Sequence, residues 1–171
     1  MKQITFILII ILSSTISAQS IFEASRNGDL DKIKALYALD NNSINTADNK
    51  GFTPLILSAY NNQPKVVAFL LEKGVAVDAK DISGNTALMG VCFKGSITIV
   101  KILIENGAGV NMQNYNGATA LIYASTFGHT EIVQYLLVNN ADKNFTDNRG
   151  NTALKHAVMQ DNTAIITLLD K

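Results

Sequence analysis

The sequence predicts an all-α solenoid of about five helix-turn-helix units joined by short hairpin-like loops, and three observations lead there. The first is self-similarity at a fixed period, which outranks any local reading. Gly51-Phe52-Thr53-Pro54-Leu55, Gly84-Asn85-Thr86-Ala87-Leu88, Gly117-Ala118-Thr119-Ala120-Leu121 and Gly150-Asn151-Thr152-Ala153-Leu154 align without gaps, their glycines stepping by 33 residues each time. The second is that Asp48, Asp81, Asn114 and Asp147 precede these glycines at one constant offset, while Leu70, Leu103, Leu136 and Leu169 follow them at another. The third is the order of signals inside a unit: a threonine able to cap a helix, a short apolar run, a break, then apolar residues at helical spacing.

Taken in order, the N-terminal segment differs from the rest. Lys2 gives a positive start, Ile4 to Leu12 is apolar apart from Thr5, and Ser13 to Ala18 is small and polar apart from Ile16. This is the pattern of a secretory signal peptide, residues 1–18, cut after Ala18. The apolar stretch falls well short of the ~20 residues of a spanning helix, so no membrane anchor is expected after cleavage. No cysteine stands at the cut, which closes the lipoprotein route, and the ending Ser17-Ala18-Gln19 suggests a bacterial source. The expected location is the periplasm or the medium.

The repeat domain then spans residues 19–171, in units of about 19–47, 48–80, 81–113, 114–146 and 147–171. Ser20 and Glu23 form a capping box for the first helix, and Ile21, Phe22, Ile33, Leu36 and Tyr37 repeat the helical pattern one residue out of step with the later units. In the second unit Thr53 caps a helix whose first position is Pro54, where the missing donor costs nothing. Asn62-Gln63 and Gly95-Ser96 break the chain between helices, Val66, Val67, Leu70 and Leu71 mark the buried stripe of a second helix, and Gly74 and Gly107 end such helices. The last unit carries Lys155, His156, Gln160, Asp161, Asn162 and Thr167, the polarity of a terminal cap.

These units resemble ankyrin repeats, whose pattern runs D-x-x-G-x-T-P-L-H-x-A, a second helix, then G-A-x-x-N. Thr53-Pro54-Leu55, Gly128-His129 with Glu131-Ile132-Val133 and Leu136-Leu137, and Gly107-Ala108-Gly109-Val110-Asn111 carry the resemblance over nearly the whole mature chain. The family's histidine after the leucine is replaced by Ile56, Met89, Ile122 and Lys155, so the inter-repeat hydrogen bonds it makes are replaced or missing. Some loss of rigidity is expected, not loss of the fold.

Little in the sequence points to catalysis. His129 and His156 occupy non-equivalent positions, and Cys92 fills a slot held by Ala59 and Ser125 elsewhere, the place of a small buried residue and not of a low-pKa nucleophile. The recurring aspartates suit a turn in which a side-chain oxygen accepts backbone N–H groups. No phosphate-cradling glycine pattern, metal-ligand cluster or cofactor motif is present. The 14 basic residues balance the 14 acidic ones with no basic run, which argues against a nucleic-acid partner.

Function in a solenoid falls on the positions that the repeat leaves free. The resemblance places hairpin tips and the exposed ends of first helices on a concave, partner-facing surface, and in this chain the binding residues there are Phe52, Tyr60, Ile82, Phe93, Lys94, Tyr115, Phe127 and Arg149. Aromatic side chains of this kind supply much of the energy of interfaces. Their expected place is outside the inter-repeat core, although Phe93 and Phe127 could instead fold back as local packing. The reading is a monomeric, exported, non-enzymatic protein-binding module; a secreted inhibitor or immunity-type protein that neutralises a toxin or enzyme is the alternative. Export has a direct check: intact mass of the protein from a cell envelope should show residues 1–18 removed, whereas full-length chain in the cytosol would overturn the signal-peptide reading.

Overall fold

The computed structural model describes residues 21–170; the signal segment, its cut at Ala18 and Ser20 of the capping box lie outside them. Helical backbone over residues 21–27 (α1) is followed by α2 (Leu30–Leu39), a short 3-10 turn (Ser43–Asn45), α3 (Pro54–Tyr60), α4 (Pro64–Glu72), α5 (Ala87–Lys94) and α6 (Ile97–Glu105). Then come α7 (Ala120–Thr126), α8 (Thr130–Val138), α9 (Ala153–Met159) and α10 (Thr163–Leu169). No strand forms among the described residues; one isolated bridge joins Thr146 and Thr152. α3, α5, α7 and α9 each pair with the next helix in an antiparallel hairpin, α3 packs on α5, α5 on α7 and α7 on α9, and the even-numbered helices form a second, outer row.

The inner helices start where the threonines cap them. The hydroxyls of Thr53, Thr86, Thr119 and Thr152 accept from the N–H groups of Ile56, Met89, Ile122 and Lys155 at 3.2, 3.4, 3.3 and 3.2 Å. The inner helices within the stack bury almost their whole circumference: Pro54 to Ala59 are all buried in α3, Ala87, Leu88, Met89, Val91 and Cys92 in α5, and Ala120, Leu121, Ile122, Ala124 and Ser125 in α7. A helix apolar all round has to lie between neighbours. The outer helices bury a single stripe, Val66, Val67 and Leu70 in α4, repeated as Ile99, Val100, Leu103 and as Ile132, Val133, Leu136.

Both helix ends close in left-handed residues. Gly28, Asn62, Gly95, Gly128 and Asp161 all have positive φ between paired helices. A side chain at Gly95 would collide with the His129 imidazole, whose Nε2 lies 3.2 Å from the Phe93 carbonyl oxygen of the preceding unit. The outer helices end with Gly74, Gly107 and Asn140 at positive φ, and the N–H groups of Val75, Ala108 and Ala141 reach back to Leu70, Leu103 and Leu136. Those three residues are buried, which supplies the apolar contact that goes with this kind of helix end.

The expected turn chemistry recurs four times. Asp48, Asp81, Asn114 and Asp147 each accept two backbone N–H bonds through Oδ1, all between 2.8 and 2.9 Å. Successive tips are then joined by main-chain bonds, Ile82 N–H to Lys50 O (3.0 Å), Tyr115 to Ser83 (3.1 Å) and Asn148 to Asn116 (2.8 Å). Where the family's histidine is missing, Ile56, Met89 and Ile122 are buried in the inner stack and replace its hydrogen bonds by apolar contact, while Lys155 of the last unit is exposed. Only Ala153 and Ala157 are buried in α9, as a terminal unit requires.

The Asp147 turn is also bonded to His156, whose Nε2 lies 2.9 Å from Asp147 Oδ2. Partial burial by itself pushes the Asp147 carboxyl up; the N–H of Asn151, the His156 ring and the N–H of Arg149 outweigh it and hold the group at about 2. An unfolded aspartate titrates near ~3.9, so this folded-state depression stabilises the protein fully above about pH 4 and the contribution disappears as pH falls toward the folded value. Asp147→Asn keeps the turn, since Asn114 natively makes the same two bonds. Its thermal midpoint should lie below that of the parent at neutral pH and converge on it below about pH 4; a gap that stays constant across that window would show that the charge adds nothing.

Candidate functional site

The hairpin tips and the exposed sides of α3, α5, α7 and α9 form one continuous surface. Tyr60 of α3 stacks on Phe93 of α5 with ring centroids 6.0 Å apart at 15°, and Phe93 meets Phe127 edge-on at 4.4 Å. Tyr123 of α7 approaches Phe93 from the side at 6.5 Å. Lys94 Nζ lies 5.0 Å from the centre of the Tyr60 ring. Three units thereby contribute to one aromatic ladder whose ends, Tyr60 at 41% and Phe127 at 46%, remain exposed.

The eight residues expected from the sequence are not equivalent. Phe52, Tyr60 and Phe93 line a groove of about 590 Å³ floored by Ile56, Met89 and Gly90. Phe127 and Arg149 line a second groove of about 400 Å³ with Ile122 and His156. Ile82 and Tyr115, each 67% exposed, stand at hairpin tips and line neither groove, and Lys94 stands beside Tyr60. Phe93 departs from the expectation that the aromatics lie outside the inter-repeat packing: it is half-buried and wedged between rings of the units before and after it. Its neighbours' exposed faces need it in place.

Tyr123 is the wall between the two grooves and was not among the expected residues. Its hydroxyl donates to Asn85 Oδ1 (3.2 Å) and accepts from Asn114 Nδ2 (3.1 Å), and Asn114 also donates to Asn85 (2.7 Å), tying two units together. Burial, with the nearby Asp81 carboxylate, pushes its phenol up, against the Asn114 hydrogen bond. The signal that could have found it is register: Leu57, Gly90, Tyr123 and His156 recur at a spacing of 33, and this position changes chemistry in every unit.

The reactive side chains of the chain are occupied elsewhere. Cys92 is fully buried and burial pushes its thiol far above the usual thiol range. His129 bonds the preceding unit and His156 bonds Asp147. Among the described residues no helix is long and apolar enough to cross a membrane.

A stack of paired helices presenting a variable, partly aromatic inner surface defines a repeat scaffold for binding. The family model for ankyrin repeats (three copies) matches residues 21–114 and again 88–171, and the chain belongs to that family. Repeats of this family are protein-interaction modules. A stretch of 63 residues, 37% of this chain, is 36% identical to the human (Homo sapiens) "DNA-binding protein RFXANK"; the match spans 24% of that protein's length.

Gly90 stands out within this site. It lies inside α5 with no positive φ, and a Cβ there would meet only Tyr60 Cδ2, at an ordinary 3.6 Å. A glycine inside a helix is less favourable than alanine by roughly 1 kcal/mol. Gly90→Ala should therefore raise stability in urea by about that amount; a loss of stability would mean that the backbone requires glycine after all.

Proposed function

We propose that this chain is an exported, non-catalytic module that works as a monomer and holds a protein partner on the concave surface of its hairpin tips and inner helices. The observation that carries the reading is the aromatic ladder of Tyr60, Phe93 and Phe127, assembled from successive units with its end rings open to solvent. Aromatic anchors of this type dominate binding energy when they become buried. The non-catalytic part rests on the commitments of the reactive groups: a buried neutral thiol, two histidines engaged in the scaffold, and turn carboxylates filled by backbone N–H groups. Export rests on the N-terminal pattern of Lys2, the apolar stretch to Leu12 and the small residues to Ala18. Periplasm or medium is then the compartment in which the partner is met.

The test separates folding from binding by capturing partners from an exported fraction and measuring urea midpoints for the same variants. Tyr60→Ala and Tyr115→Ala should weaken capture by a hot-spot amount, ~2 kcal/mol or more, and leave the midpoint nearly unchanged. Leu103→Ala, at a fully buried position, should cost roughly 2 to 5 kcal/mol of stability. Phe93→Ala should do both, because it packs and presents the ladder. If the tyrosine variants capture as well as the parent while folded, the partner surface lies elsewhere.

A further inference from the structure

The fold does not ask for a glycine at Gly90. The backbone there is ordinary helix, a Cβ would meet only Tyr60 Cδ2 at an ordinary contact distance, and the same register holds Leu57, Tyr123 and His156 in the other units. What the missing side chain produces is the floor of the larger groove, bounded by Tyr60, Phe93 and Tyr123. A residue that weakens its helix and yields only an open apolar notch on the binding face has its effect on what enters that notch.

Charge indicates the chemistry around it. Among the described residues Lys50, Lys94, Arg149 and Lys155 are exposed on the hairpins and inner helices, and none has a carboxylate within ion-pair distance. The carboxylates on the same side are already engaged: Asp81 accepts from Ser83, Asn85 and the Asn85 amide, Asp48 pairs with Arg26, and Asp147 pairs with His156. Glu23, in the first unit, is the exposed carboxylate on an inner helix. The remaining acids sit largely on the outer helices and their loops; with Arg26, Lys50, Lys94, Arg149 and Lys155 set against Glu23, Asp48, Asp81 and Asp147, the inner face is weakly cationic, and its exposed unpaired charges are cations apart from Glu23.

We infer that the Gly90 notch receives a bulky apolar side chain of a partner polypeptide segment, and that acidic residues flanking this side chain meet Lys94 and Lys50. The inference rests on the concave-surface reading above and specifies what that surface takes. The apolar side chain lies against Met89 and between the Tyr60, Phe93 and Tyr123 rings, while the flanking carboxylates replace bulk counter-ions at the rim.

Panning a random short-peptide phage library against the full-length chain tests this, followed by affinity measurement of the enriched peptides on variants. Enriched sequences should carry one bulky apolar residue with Asp or Glu on both sides and bind more weakly as salt rises. Gly90→Leu, which places the side chain of Leu57's register in the notch, should melt no lower than the parent yet weaken these peptides by more than about tenfold. Lys94→Glu should weaken them as well. No enrichment, or enrichment of neutral or basic sequences, overturns the inference. Peptides that bind Gly90→Leu undiminished but are lost on Tyr115→Ala or Arg149→Glu overturn the notch and leave the concave surface standing; peptides indifferent to all these variants overturn both. A thymidine oligonucleotide that binds with the same dependence on Gly90 would replace the acidic polypeptide by a nucleic acid.

Discussion

The structure depends on the stacking of very short inner helices against one another. Isolated helices below ~12 to 15 residues are marginal in water, and α3, α7 and α9 have only seven residues each. Such a helix persists because apolar neighbours in the stack cover its buried side, on α7 from both α5 and α9. Leu55, Leu88 and Leu121, each 1% exposed, occupy equivalent places in that stack. Capping threonines, left-handed residues between helices and filled turn carboxylates then settle the backbone groups that so short a helix leaves unpaired. Each of these devices is local, and each is useful only once the neighbouring unit is present.

This arrangement leaves a particular set of positions without structural duties. The hairpin tips are held by main-chain bonds from tip to tip, so side chains such as Ile82 and Tyr115 stay largely exposed, the Tyr115 ring lying across Gly84 of the preceding hairpin. Along the inner helices the register of Leu57, Gly90, Tyr123 and His156 borders the two grooves and holds a different residue in every unit. The boundary between scaffold and surface is nevertheless not sharp. Phe93 and Tyr123 join units through ring contacts and hydrogen bonds and at the same time shape the grooves.

Electrostatics divides along the same line. The turn requires a side-chain acceptor, and an aspartate that accepts two N–H groups has little capacity left for a partner. Asn114 satisfies the same geometry without a charge. The carboxylates of the inner face are therefore held inward by the turns while its lysines and Arg149 stay exposed, so the charges open to a partner there are mainly positive although the face is only weakly cationic in sum. A surface of that kind steers encounter and orders the approach of a segment more than it adds raw affinity.

The period of 33 residues, the helix pairs, the threonine caps, Gly74 and Gly107 as helix ends, the aspartate turns and the burial of Cys92 were all legible in the sequence. They are legible because each follows from local chemistry repeated at a fixed step, and repetition turns weak propensities into a firm pattern. Exposed tip residues such as Ile82 and Tyr115 could be picked out the same way. The joining of Tyr60, Phe93 and Phe127 into one ladder, the wedged position of Phe93, the network of Asn85, Asn114 and Tyr123, and the notch at Gly90 arise between units. They depend on how far one unit is shifted and turned against the next, and that geometry is set by the packing of whole helices, so only the tertiary structure could decide which free positions come to share a surface.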